Sequence, residues 1–116
     1  MFGHNNPLRY RLSQHVLAPL AQAGFEMAGV HNQRQSFYRK LNANGKKLTQ
    51  HIEVVENAPS DLVVVYESAS EYGDDIEKRV KVEGSSVLNA VANAIALADE
   101  SQVIFAFHGM PALKAA

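Results

Sequence analysis

Apolar and polar residues alternate over residues 37–52, on both sides of the pair Asn44-Gly45. Asn-Gly between two alternating runs is the strongest short-range signal of a β-hairpin, because both residues tolerate the positive φ of a two-residue turn. Such a turn pairs Leu41 with Leu48, Arg39 with Gln50 and Phe37 with Ile52. A three-residue loop would instead place Leu41 opposite Lys47. Because a shift of one residue turns every side chain to the other face, the apolar pairs favour the two-residue turn.

This register sorts the side chains of the hairpin into two sets. The set expected in the core is Phe37, Leu41, Leu48 and Ile52. The set expected on the outer face is Tyr38, Lys40, Thr49 and His51. Strict alternation of this kind is typical of a sheet that has one covered face and one face in contact with water or a partner.

Four further segments are predicted to be strands. Residues 25–31 form a short first strand that Gly29 weakens, and the β-branched run 62–66 is typical of a strand buried on both faces. In residues 76–82 apolar residues alternate with charged ones, which suits a half-exposed strand near a sheet edge. The apolar run 103–107 is predicted to be the last strand. The favoured interpretation is that it closes the same sheet. The alternative is a strand or arm that docks on a second subunit, or an apolar patch for a partner.

Two helices are predicted, one towards each end of the chain. The first starts at the Asn-Asn-Pro sequence of residues 5–7, and its apolar residues recur at helical spacing as far as Gly24. Pro19 removes a helical hydrogen bond, so we expect a kink there or two short helices. The second helix follows the Gly-Ser-Ser sequence of residues 84–86, which supplies an N-cap, and covers residues 87–99.

The order of these elements predicts an α+β fold. We expect an antiparallel sheet of four to six strands with an N-terminal and a C-terminal helix packed on one face. The chain has 116 residues, 47% of them apolar and 20% charged, which suits a single domain covering residues 1–116. It has no cysteine, so disulfides, thiolate metal sites and cysteine nucleophiles are excluded.

The sequence shows no sign of a membrane span or of secretion. No apolar run approaches the roughly 18–20 residues that a transmembrane helix needs. Residues 1–7 lack the basic and apolar regions of a signal peptide. We therefore expect a cytoplasmic protein that does not enter a membrane.

The net charge of −1 hides an imbalance between the two halves of the chain. Residues 1–58 carry seven Lys or Arg and three acidic residues, whereas residues 59–116 carry four and nine. Such asymmetry marks either a surface for nucleic acid or another partner, or two halves whose charges mix on one sheet. The second interpretation is favoured, because charge bears on association and not on fold.

No catalytic or metal-binding motif is present. The five histidines have no ligand spacing, and neither a nucleophile elbow nor a phosphate-binding loop occurs. The acidic run 67–77 lacks the spacing of a calcium loop. A His51, Tyr38 and Glu53 group is the best candidate for acid–base chemistry, although an ordinary pair on a sheet surface is favoured. We therefore predict neither catalysis nor a bound metal or cofactor.

Basic residues interleaved with aromatic residues provide the better candidate for a function. Cations with an exposed ring on a sheet can hold single-stranded nucleic acid through its phosphates and bases. The predicted register weakens this hypothesis, because it buries Phe37 and leaves Tyr38 as the open-face ring. The candidate binding surface consists of Arg9, Arg11, Arg34, Tyr38, Arg39, Lys40, Lys46, Lys47 and His51.

The helix, sheet, helix order resembles, in outline, the small bacterial secretion chaperones and adaptors of α+β type. Those proteins are strongly acidic, whereas this chain has an isoelectric point of about 6.5. The favoured hypothesis is a small non-enzymatic protein-binding or adaptor module that forms a homodimer. It would use the open face of its sheet or the run 103–107. The alternative is a nucleic-acid-binding accessory protein that uses the basic N-terminal half, and an enzyme ranks third.

Overall fold

The computed structural model describes residues 14–31, 33–43, 45–58, 61–71 and 78–108. Its elements, in chain order, are α1 (Gln14–Gln22), β1 (Glu26–His31), β2 (Arg34–Ala43), β3 (Lys46–Ala58), β4 (Asp61–Ser70), β5 (Lys78–Val82) and α2 (Val87–His108). The five strands form one sheet in the order β1-β2-β3-β4-β5, and every neighbouring pair is antiparallel. The predicted α+β fold is confirmed.

The predicted register of the β2–β3 hairpin is also confirmed. Leu41 pairs with Leu48, Arg39 with Gln50 and Phe37 with Ile52. Ala43 pairs with Lys46, so the turn has two residues, and Gly45 has the positive φ of 76° that such a turn needs. Asn44 lies outside the described residues.

One face of the sheet is covered by the helices, and we call it the inner face. The other is the open face. In β1 a bulge at Ala28 makes the register shift between Met27 and Gly29. Met27 therefore pairs with Phe37, and Val30 with Gln35, which places both β1 residues on the inner side of the sheet.

Helix α1 ends as its glycine predicts. Gly24 has a φ of 91°, and the amide of Phe25 donates to the carbonyl of Leu20 at 2.9 Å as the chain turns into β1. One helix runs through Pro19, so the predicted division into two short helices is wrong. The predicted helix start at residues 5–7 lies outside the described residues.

Helix α2 is longer than predicted, and the predicted strand at residues 103–107 is wrong. The β-branched and aromatic residues of this run favour a strand, but between Ser86 and Gly109 no glycine or proline ends the helix. The buried residues Ala94, Ala98, Ser101 and Phe105 continue the helical spacing through the run. Packing of that stripe on the sheet therefore overrides local strand preference.

Residues Val87–Phe107 of α2 are long enough, and with a mean hydropathy of 1.3 apolar enough, to cross a membrane. Core helices meet the same criterion of length and composition. In α2 the side chains of Val91, Ala94, Ala98 and Phe105 are fully buried within the fold. One side of α2 therefore belongs to the core of this domain, while 33% of the apolar stretch as a whole is buried.

The inner face holds two apolar clusters of unequal size. The larger is built from both helices and the sheet: Val16, Leu20, Phe25, Phe37, Ile52, Val54, Val64, Tyr66, Ala90, Val91, Ala94 and Ala98. The smaller lies towards the β2–β3 turn, where Phe105 and Leu48 are fully buried beside Leu41 and Ala43. Without the extension of α2 beyond residue 99, this second cluster would have no cover from a helix.

A buried polar layer separates the two clusters. The Arg39 guanidinium, which is 9% exposed, donates to Gln50 Oε1, to the carbonyl of Ala23 and to Asp99 Oδ1, each at 2.7 Å. Gln50 Nε2 donates to Tyr66 Oη and to the carbonyl of Ala98, both at 2.8 Å. The layer thus joins the end of α1, the centre of the sheet and the middle of α2.

The start of α2 rests directly on the chain that leads into it. A Cβ added to Gly84 would lie 2.7 Å from the Cα of Ala90 and would also overlap the backbone nitrogen of that residue. Ser86 Oγ accepts from the amide of Asn89, and Asn89 Oδ1 accepts from the amide of Ser85, both at 3.1 Å. This reciprocal cap and the close approach at Gly84 set where α2 begins.

Replacing Arg39 by methionine should strongly destabilise the fold. The change leaves Gln50 Oε1 and the Ala23 carbonyl without their donor, so we expect a loss of about 2–4 kcal/mol in the free energy of unfolding. Urea denaturation followed by circular dichroism measures it. The matched control is Lys40→Met on the exposed side of the same strand, which should stay within about 0.5 kcal/mol of the wild type. Equal effects of the two changes would contradict the buried layer.

Replacing Gly84 by alanine should lower the free energy of unfolding by about 1–3 kcal/mol, because the new methyl group forces the start of α2 away from residue 84. The control is Gly29→Ala, where an added Cβ meets nothing within 4 Å. That change should leave stability within about 1 kcal/mol of the wild type. Thermal unfolding of both variants gives the comparison, and an unchanged midpoint for Gly84→Ala would argue against the close contact.

Candidate functional site

The open face of the sheet carries a chain of ion pairs. Glu53 Oε1 lies 3.7 Å from an Arg34 nitrogen and 3.6 Å from an Arg79 nitrogen, and Arg79 also contacts Glu67 at 2.9 Å. Arg79 comes from the acidic half of the chain and Glu53 from the basic half. The charges of the two halves therefore mix on one sheet, as the favoured interpretation of their imbalance predicts. The arginines of these pairs are about half exposed to water, which limits what such ion pairs add to stability.

Tyr38 and His51 lie side by side in the middle of the open face, where β2 pairs with β3. Their ring centroids are 6.5 Å apart, and Tyr38 Oη donates to Glu26 Oε1 at 3.5 Å. The Lys40 ammonium lies 6.0 Å from the centre of the Tyr38 ring. These are the predicted outward positions, and the group offers one aromatic ring with one cation above it.

The other predicted site residues are dispersed. Arg34 is half exposed and paired with Glu53, whereas Lys46 and Lys47 are exposed beside the β2–β3 turn. The backbone amide of Lys47 donates to Glu71 Oε1 at 2.7 Å. Arg9 and Arg11 lie outside the described residues.

Arg39 does not belong to the open face on which the candidate surface was placed. Its position has the same parity as Phe37 and Leu41, so its side chain points to the inner face, where its guanidinium lies 4.5 Å from the centre of the Phe25 ring. The register was the signal for this, because it placed Arg39 opposite Gln50 on the apolar side. Its charge is used within the fold, by Asp99, and is not offered to a ligand.

The suggested acid–base group of His51, Tyr38 and Glu53 has no direct hydrogen bond among its members in the described part of the chain. The Glu53 carboxylate faces two arginines, and within the described part of the chain His51 forms no hydrogen bond. Among the described residues, no group of three or more His, Asp or Glu side chains is placed to hold a metal ion.

A cleft of about 400 Å³ lies where β4 and β5 meet the start of α2. Lys81, Glu83 and Asp61 give its wall both signs of charge, and Lys81 Nζ lies 3.7 Å from Glu83. The serine hydroxyl and amide nearest the helix are already used by the cap of α2. Two charged residues of the cleft therefore pair with each other, and two of its polar groups serve the cap of α2.

The last two turns of α2 carry a surface that is apolar and exposed. Val103 is 55% exposed, Ile104 48% and Phe107 53%, and their spacing of one, three and four residues places them together on the helix. We call these three residues the α2 patch. The sequence contained the signal, since residues 103–107 form a continuous apolar run, but the wrong assignment of this run as a strand hid which side chains face outward.

Comparison of the chain with protein-family models, with curated proteins and with solved structures gives no match in any of the three. The functional assignment therefore rests on the surfaces described above.

Two phenylalanines of α2 should differ sharply in their effect on stability. Phe105 is fully buried against Leu48, so Phe105→Ala should cost about 3–5 kcal/mol, whereas the half-exposed Phe107→Ala should cost less than about 1 kcal/mol. Urea unfolding of the two variants tests the orientation of the helix end. A strand over residues 103–107 would place both side chains on one face and give similar losses.

Proposed function

We propose that this protein is a small non-enzymatic protein-binding or adaptor module, that it acts as a homodimer, and that the α2 patch is its surface for another protein. The observation that supports the proposal is the exposure of Val103, Ile104 and Phe107 on one side of a helix whose opposite side is buried. Removing apolar side chains from water is favourable, so a partner that covers these three residues would be stabilised by their burial.

The α2 patch has the form used by helices that bind in a groove. Large apolar side chains three and four residues apart act as anchors in that mode, and an aromatic anchor such as Phe107 contributes the largest area. Asp99 and Glu100 are exposed one turn before the patch and provide a polar border on that side. We therefore propose a partner with an apolar groove.

The open face is a weaker candidate for the same role. Arg34 and Arg79 already lie within ion-pair distance of Glu53 there, and Arg79 also pairs with Glu67, so a partner would have to displace ion pairs before gaining its own. No apolar patch comparable to that of α2 interrupts these charges among the described residues.

Nucleic-acid binding remains the alternative function. Its support is the exposure of Lys40, Lys46 and Lys47 near the β2–β3 turn. Exposed lysines at such a position also protect a sheet from aggregation. The Arg39 guanidinium is bound by Asp99 within the fold, so it does not add to this basic surface. Cytoplasmic location is part of the proposal, and the absence of cysteine agrees with a reducing compartment.

The experiment compares Phe107→Ala with Thr49→Ala, a matched truncation on the open face. Both variants and the wild type are immobilised and exposed to extract of the source cells, and bound proteins are quantified. We expect a protein that the wild type and Thr49→Ala retain equally and that Phe107→Ala retains at least about tenfold less, as for an interface hot spot.

Two results would contradict the proposal. Equal retention of every bound protein by Phe107→Ala and the wild type would remove the α2 patch as the binding surface. Retention of DNA or RNA that falls steeply with salt and is lost in Lys46→Ala/Lys47→Ala would favour the nucleic-acid alternative.

A further inference from the structure

The two edge strands of the sheet differ in their protection against pairing. Strand β5 carries Lys78, Arg79 and Lys81 within five residues, and such charges are a common protection of a free edge. Strand β1 carries no charge from Met27 to Val30, and within the described chain no strand lies beside its outer edge. We infer that β1 is an interface for a second copy of this chain, whose β1 pairs with it antiparallel to form a continuous ten-stranded sheet.

Two apolar side chains of β1 point to the inner face of the sheet but remain exposed to water. The bulge turns Met27 and Val30 towards the inner face, yet they are 52% and 40% exposed, because α1 borders this edge without covering it. At the same level the inner-face residues Phe37 and Gln35 of β2 are buried. Apolar burial thus stops abruptly at β1, one strand before the sheet does.

The sequence of β1 is self-complementary in the antiparallel direction. Pairing Met27 with Val30 of the second copy also brings Val30 opposite Met27 of the second copy, and Ala28 opposite its Gly29. The two bulges then face each other, so neither strand has an extra residue relative to the other. The outer pair in this backbone register becomes Glu26 with position 31 of the second copy.

The symmetry of this arrangement covers the exposed residues. Antiparallel edge pairing is related by a two-fold axis perpendicular to the sheet, which keeps the helices of both copies on the same face. Met27 and Val30 of the two copies then form one apolar group between the two α1 helices. A groove of about 150 Å³ borders this edge, and it is lined by Leu17, Leu20, Ala21, Phe25, Met27 and Phe37. The second copy would therefore contact apolar residues of this groove as well as the β1 strand itself.

Pairing β1 with β5 of another copy is disfavoured. That contact is head-to-tail, so it leaves one free edge at each end and builds open chains instead of a closed dimer. It would also bring three cations of β5 against an edge that has one acid, Glu26. A two-fold β1 pair closes after two copies.

The length of β1 limits the expected affinity of the proposed dimer. Six residues span about 20 Å, which places the contact at the small end of specific interfaces, where about 800 Å² per partner is usual. We therefore expect dissociation in the micromolar range. This inference rests on the homodimer of the proposed function and names the surface that forms it.

Sedimentation velocity from low to high micromolar concentration tests the interface with matched variants. Val30→Lys places a charge at the inner side of β1, and Val80→Lys places the same charge at the inner side of β5, where Val80 is 37% exposed. The wild type and Val80→Lys should dimerise equally, and Val30→Lys should dimerise at least about tenfold more weakly. Urea unfolding of each variant checks that it is folded.

Hydrogen exchange of the wild type gives a second readout that needs no variant. Exchange of amides in residues 26–31 should slow as concentration rises, while exchange in residues 78–82 should not change. Dimerisation without this protection of β1 would overturn the inference even if Val30→Lys failed to fold.

The remaining outcomes separate the interface from the function. A dimer that survives Val30→Lys and is lost in Phe107→Ala would keep the homodimer and move it to the α2 patch. Open-ended oligomers weakened equally by Val30→Lys and Val80→Lys would show head-to-tail pairing instead. A wild type that stays monomeric at high micromolar concentration would overturn both the β1 interface and the homodimer. Binding of another protein by the α2 patch is tested separately, by the capture experiment with Phe107→Ala.

Discussion

A guanidinium removed from water must find a partner for its donors, and Arg39 finds them in three different elements of this fold. Its bonds reach the carbonyl of Ala23 directly after α1, a glutamine in β3 and an aspartate in α2. The Gln50 amide is used completely in turn, since its oxygen accepts from Arg39 and its nitrogen donates to Tyr66 and to Ala98. Moving either helix along the sheet would leave several of these buried groups unpaired.

This constraint explains how the surface of the molecule is arranged. Because Ala98 and Asp99 are held at the polar layer, the remaining turns of α2 extend over the β2–β3 hairpin, beyond the end of α1. Phe105 then covers Leu48, and the residues between and beyond the buried positions face outward. The α2 patch is therefore a consequence of where the helix is held, combined with an apolar sequence on both of its sides.

Much of the sheet could be predicted from residues close together in the chain. The turn residues at 44–45 and the alternation around them determine the hairpin register, because only that register keeps apolar residues on one face. The continuous run 62–66 was placed correctly within β4. Assignment of 103–107 to a strand failed because local preference for β structure is weak compared with the burial of Phe105 in register with Ala94 and Ala98.

The candidate site was harder to predict, since a residue type does not reveal its partners. The sequence by itself determined the α+β fold, the hairpin register and the side of the sheet on which each hairpin residue lies. Only the tertiary structure decided that Arg39 is an internal link, that Arg34 is paired, and that Val103, Ile104 and Phe107 lie at the surface. The reason is physical: turn geometry and alternation act between neighbours in the chain, whereas burial and charge pairing depend on elements as distant as residues 39 and 99.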